Sequence, residues 1–234
     1  MMDEDLQYLI HFFTDKEYLF KTITMAEACQ VDEICDKFAA QKGWYWGRYA
    51  KSERYDYLTK RRFVEKELFD GYTREYGMLK EKVPVYFYLY PKITIQKAIA
   101  KGQQRTRHEE VEPGILMLKI QDIEDITNIT FTLNDSFTAY WQKAIEAGIT
   151  CRGPQPDGIV LQDHNKVFPF SMIEEIHRKY TKQDMVYEVQ VWDYELLERM
   201  SYTILGKEKA AGAYPGRCLD GSCYTPLFTL SEKL

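Results

Sequence analysis

Residues 83–89, VPVYFYL, limit the folds open to this chain more than any other stretch. Nearly every side chain there is β-branched, aromatic or aliphatic, and no polar alternation interrupts the run. It therefore predicts a strand covered on both faces. Pro91 punctuates it. In residues 93–101 the period changes: Ile95 and Ile99 stand four apart, as on one helix face, and Gly102 can cap the turn. A buried strand feeding a short amphipathic helix near mid-chain predicts a central sheet.

The flanking segments supply its other parts. Residues 6–13 (LQYLIHFF) predict a first strand carrying His11. Helices follow over 16–24 and 26–41, the latter with Ala28, Val31, Ile34, Cys35 and Phe38 recurring at helical spacing. The aromatic, glycine-flanked residues 43–49 read as a turn, and the charged residues 51–71 as a helix with a sparse apolar stripe. After a polar stretch over 103–113, long enough for a mobile loop, strands are expected at 114–120, 129–133, 158–161 and 185–192. Short helices are expected at 137–147, 171–179 and 194–202, the first started by Asn134-Asp135-Ser136. Residues 163–166 read as a turn and 167–170 as a sheet edge; His108 and His164, in polar segments, are expected to be exposed. The order predicts an α+β domain over residues 1–205: a mixed central β-sheet with a helical insertion after the first strand. Residues 206–234 read as a tail that packs on the domain or stays partly flexible.

Composition narrows the function classes. A formal charge of −5 over 234 residues argues against a wholly basic nucleic-acid binder. A local excess exists over 45–82, where ten Lys/Arg face seven acids, although a solvated helix face gives the same pattern. The five cysteines form no tight framework and no zinc spacing, which points to a reducing, cytoplasmic setting. The acidic start MMDEDLQYL does not look like a signal peptide, and no apolar run approaches a membrane span. Dinucleotide-binding glycine fingerprints, P-loops, nucleophile elbows and HExxH are all missing.

What remains is a constellation spread along the chain: His11 in an early strand with Thr14 after it, the pair Arg61-Arg62, the VPVYFY strand, Ala100-Lys101-Gly102, and Phe131-Thr132. In this set and order, over about residues 8–180, the chain resembles the DarT-like DNA ADP-ribosyltransferases, toxins of the ADP-ribosyltransferase fold. The resemblance implies an ADP-ribosyltransferase-like sheet, NAD as the cosubstrate and DNA or another nucleic acid as partner, with no membrane. It implies His11, Thr14, Arg61, Tyr86 and Tyr88 as cofactor-binding residues and Arg62 as a catalytic one. The family places a Glu at the head of a late strand. Strand alignment puts Gly158 there, with Asp157 beside it as the candidate acid, and the FTD-type segment here lacks the His that commonly follows.

Such a site has a definite physical logic. Cleaving the nicotinamide–ribose bond leaves an oxocarbenium-like ribose that a carboxylate stabilises. A strand-borne His can bond a ribose hydroxyl, an Arg can pair with pyrophosphate or orient the acceptor, and Tyr rings can stack on nicotinamide. Each residue also has a plainer role: a core His, solvated arginines, packed tyrosines. The alternative function is a catalytically degenerate module of the same fold, binding nucleic acid or a protein partner through the basic residues of 48–82.

Overall fold

The computed structural model describes residues 6–13, 19–40, 46–93, 96–97, 100, 114–149, 163–180, 185–207 and 224–229. Eight strands build one sheet: β1 (Tyr8–Phe13), β2 (Val85–Leu89), β3 (Gly114–Lys119), β4 (Ile129–Leu133), β5 (Phe168–Pro169), β6 (Tyr187–Val191), β7 (Thr203–Lys207) and β8 (Tyr224–Thr229). Their spatial order is β5-β4-β6-β2-β1-β3-β7-β8. The predicted strands at 6–13, 83–89, 114–120, 129–133 and 185–192 are present, and β2 lies at the middle of the sheet. Every named strand pair is antiparallel, so the sheet is not the mixed one expected. The class is α+β. The expected strand at 158–161 and the loop at 103–113 lie outside the described residues.

The two faces of the sheet are covered differently. One packs Leu9, Val85, Phe87, Leu89, Leu116, Phe131, Tyr187 and Val189 with Ile173 and Ile176 of α5 (Ile173–Lys179) and Leu196 and Leu197 of α6 (Tyr194–Arg199). The other is crossed by the helical insertion, which holds α1 (Val31–Ala40) and α2 (Arg54–Tyr76). The buried stripe of α2 runs Arg54, Leu58, Arg61, Val64, Glu65, Leu68 and Tyr72, at the three- and four-residue spacing of one helix face, with charged residues inside it. Val64, Leu68 and Tyr72 pack on Trp192 and Tyr140. Arg54, 2% exposed, ties α2 to α1 through the carboxylates of Asp32 (2.8 Å) and Asp36, and its Nε donates to the Tyr49 carbonyl at 3.2 Å.

Several boundaries differ from expectation for identifiable reasons. Gly71 does not end α2: it lies inside the helix where an added Cβ would sit 3.5 Å from the Tyr140 hydroxyl, and the helix runs on to Tyr76, before Gly77 at φ 111°. The helix expected at 137–147 is two pieces, α3 (Ser136–Ala139) and α4 (Trp141–Glu146), broken at Tyr140, whose ring is buried beside α2. In the span expected as a helix at 16–24, the described residues give only a 3₁₀ turn, Ile23–Met25, capped by Thr22. His164 is buried, 6% exposed, because its turn is pinned: Asp163 accepts from Lys166 at 2.8 Å, from the Tyr180 hydroxyl at 2.7 Å and from Lys179. β7 begins at Thr203, before the expected tail, and pairs with β3 through residues 203–205; the tail adds β8 beside it at the sheet edge. No helix among the described residues is long and apolar enough to cross a membrane.

Candidate functional site

The site begins with a partial split in the sheet. β3 runs beside β1 from Tyr8↔Lys119 to Phe13↔Gly114, but β2 meets β1 only at Leu9↔Leu89 and Ile10↔Tyr88. Beyond Ile10 the strands part. His11 bridges the opening: its Nδ1–H donates to the Tyr86 carbonyl at 2.6 Å, in place of a ladder bond. Burial lowers the His11 pKa, opposed by backbone hydrogen bonds to Tyr86 and Leu19, and favours a neutral ring.

A cavity of about 150 Å³ opens at this split. β1 lines it with His11, Phe12 and Phe13, and β2 with Tyr86 and Tyr88. The insertion adds Lys21, Thr22, Ile23, Phe38, Arg48, Tyr49, Tyr57 and Arg61. Two guanidiniums and an ammonium therefore meet a wall of aromatic rings, in a chain whose net charge is negative. The Arg48 guanidinium lies 4.9 Å from the Tyr57 ring centre and donates to the Tyr57 hydroxyl at 2.9 Å; Phe38, Tyr49 and Tyr57 form a run of ring contacts at 5.1 and 5.9 Å. Such a wall suits a ligand that is anionic at one end and planar at the other.

Arg61 is the hub. Its guanidinium stacks 3.8 Å from the Tyr86 ring centre and 4.8 Å from that of Phe137. Its Nη1 donates to Ser136 Oγ at 2.8 Å, and its Nη2 stands 3.7 Å from Glu188 Oε1. Glu188, on β6, is 1% exposed and accepts from the Ser136 backbone N–H at 2.9 Å. Asn134, at φ 60°, places that N–H by turning the chain sharply out of β4. Asp135 then caps α3 by accepting from the Thr138 N–H at 3.0 Å. Burial raises the Glu188 pKa, and the Arg61 charge opposes it. Cross-strand pairing sets Glu188 beside Tyr88 on one side and Thr132 on the other, on the face that α2 covers. Below it Gln190 bonds Thr130 (2.9 Å) and Thr132 (3.3 Å), so the floor of the site is a connected polar network.

A second carboxyl flanks the hub. Glu65, one helical turn beyond Arg61 and 3% exposed, accepts at Oε1 from the Thr24 hydroxyl (2.9 Å) and the Tyr86 hydroxyl (3.1 Å). Burial pushes its pKa up to about 7, against the Arg61 charge and these hydrogen bonds.

Of the residues expected from sequence, His11, Arg61, Tyr86 and Tyr88 meet at the cavity. Arg62 does not: it lies on the exposed face of α2, about 100° around the helix from Arg61, and Arg61 alone of the pair enters the cluster. Thr14 and Asp157 lie outside the described residues. Sequence reasoning missed Glu65 and Glu188. A signal existed for Glu188, the one acid in the strand MVYEVQVW. Glu65 carried none, being one of many acids in a charged helix. Among the described residues no group of three or more His, Cys, Asp or Glu could hold a metal ion. No known family model matches the chain, and neither curated proteins nor solved structures give a match.

Proposed function

We propose that the cleft takes the nicotinamide–ribose end of NAD and that the protein is an ADP-ribosyltransferase acting on a nucleic-acid acceptor such as DNA. The observation that carries this reading is the buried Arg61–Ser136–Glu188 cluster, whose Arg61 lines the cavity at the split between β1 and β2 together with His11. A cavity of about 150 Å³ is small beside the roughly 300–1,000 Å³ of drug-sized ligand pockets, so it takes the riboside end and the phosphate next to it rather than the whole dinucleotide. Arg48 and Lys21 suit the pyrophosphate, His11 a ribose hydroxyl, and Tyr86 or Tyr88 the nicotinamide ring. Glu188 replaces Asp157 as the acid we assign: as the bond to nicotinamide breaks and its electron pair leaves with the ring, an anionic carboxylate lowers the energy of the ribosyl cation. Arg61 lines the cavity and Glu188 sits behind it, so Arg61 must yield to let that carboxylate act.

The same arrangement favours a second reading, a binding module in which Arg61 permanently neutralises Glu188 and no turnover occurs. Incubation with labelled NAD separates the two. The transferase reading expects nicotinamide release by the wild type, a loss of about 10²–10³ in rate for Glu188→Gln, and weakened NAD binding for His11→Ala. Saturable binding without turnover selects the module; no binding at all, or equal signals from wild type and His11→Ala, overturns the NAD site.

A further inference from the structure

Tyr86 is held more firmly than a stacking residue requires. Its carbonyl accepts from His11 at 2.6 Å, its ring lies under the Arg61 guanidinium at 3.8 Å, and its hydroxyl donates to Glu65 at 3.1 Å. Glu65 has no ion-pair partner within salt-bridge distance among the described residues, and Thr24 fixes the same oxygen that receives Tyr86. A buried carboxyl bonded to the hydroxyl of a cavity-lining tyrosine has the form of a proton acceptor one bond removed from the substrate.

We propose that Tyr86 and Glu65 form a proton relay that activates the acceptor: Tyr86 takes the proton of the attacking O–H or N–H while passing its own to Glu65. This rests on the reading of the cleft as an ADP-ribosyl-transfer site. The step balances. The acceptor atom forms its bond to the ribose C1′ as the C1′–nicotinamide bond breaks, the electron pair leaves with nicotinamide, and the proton ends on Glu65, which returns it to solvent. Burial holds the Tyr86 pKa well above its ordinary value, so a free phenolate does not form and the two transfers are concerted. The charged and titratable groups facing Glu65 are Arg61 on α2, Tyr86 on β2, Glu188 on β6 and Tyr194 on α6. Glu65 acts through Tyr86 and is a positioning residue; Tyr86 is the catalytic one.

The test uses the full chain, labelled NAD and water as the acceptor, with nicotinamide release followed from pH 5.5 to 9. Wild-type kcat should climb with pH and level off above about 7, where Glu65 is free to accept a proton. Tyr86→Phe and Glu65→Gln should each lose about 10²-fold in kcat and the ascending limb with it, while KM for NAD changes little. A purely structural role for Glu65 would shift KM and leave the ascending limb in place, and that result overturns the relay. Glu65→Gln turning over at the wild-type rate also overturns it, with the NAD site left standing. Saturable NAD binding by a wild type that never turns over removes the relay and keeps the binding site; absence of both removes the relay together with the reading beneath it.

Discussion

Replacing Glu65 by Gln should stabilise the protein above neutral pH and leave it nearly unchanged in acid. An unfolded-chain glutamate titrates near its ordinary value of 4.5, whereas the buried Glu65 carboxyl titrates at about 7. Between those values the folded protein holds a proton that the unfolded chain has lost. Glu65 therefore contributes stability that is full below about pH 4.5 and is lost as pH rises through about 7. The difference corresponds to about 3 kcal/mol at 1.36 kcal/mol per pH unit. Gln keeps an acceptor for the Thr24 and Tyr86 hydroxyls and carries no charge to desolvate, and Glu188 remains as a carboxylate beside Arg61. Urea unfolding followed by circular dichroism at pH 5 and pH 8 measures the effect. The expected outcome is a difference of about 1 kcal/mol or less at pH 5 and a Gln variant about 3 kcal/mol more stable at pH 8, about 6–12 °C in Tm for a chain of this size. A stability difference that does not change with pH, or a Gln variant weaker at pH 8, would show that Glu65 is ionised in the fold and that Arg61, not burial, governs its charge.

Arg62→Ala should leave stability within about 0.5 kcal/mol of wild type and spare NAD binding, as expected of an exposed helix position. Arg61→Ala should cost about 3–5 kcal/mol by leaving Glu188 buried without its cation; equal effects of the two changes in thermal unfolding would mean that α2 presents a different face to the sheet. Gly114→Ala should destabilise by about 1–3 kcal/mol, because an added Cβ runs into the Phe13 ring across the β1–β3 pair. Denaturant midpoints report it, and a neutral result would mean that Phe13 does not lie over Gly114.

Much of the framework was legible in the sequence because it follows from local chemistry. The uninterrupted run at 83–89 required a buried strand, and β2 sits mid-sheet with Val85, Phe87 and Leu89 in the core. Asn134-Asp135-Ser136 announced the helix start that Asp135 caps, and the long charged stretch gave α2. Short-range periodicity carries such information because the repeat of a strand or helix fixes which residues share a face. His11 could be singled out for the same reason, as a titratable group inside an apolar strand.

Which face is covered, and by what, depends on residues far apart in the chain, and so it is settled only in the assembled fold. Strand β6 alternates Tyr187, Val189 and Val191 with Glu188 and Gln190; the alternation suits a strand with one wet face, yet α2 buries the polar side as well, and that burial turns Glu188 into a site residue. Arg61 and Arg62 are equivalent as letters, and the 100° between successive helix positions sends one under Tyr86's ring and the other to solvent. The separation of β1 from β2 beyond Ile10, which makes the cavity, leaves no mark in either strand's composition. Residues 203–207 form a strand by pairing with β3 on one side and β8 on the other. Local sequence pattern marked out most strands and helices and which of their residues share a face; the packing of a distant helix across the sheet set which polar side chains meet, because burial, and with it charge and reactivity, is a property of the assembled neighbours.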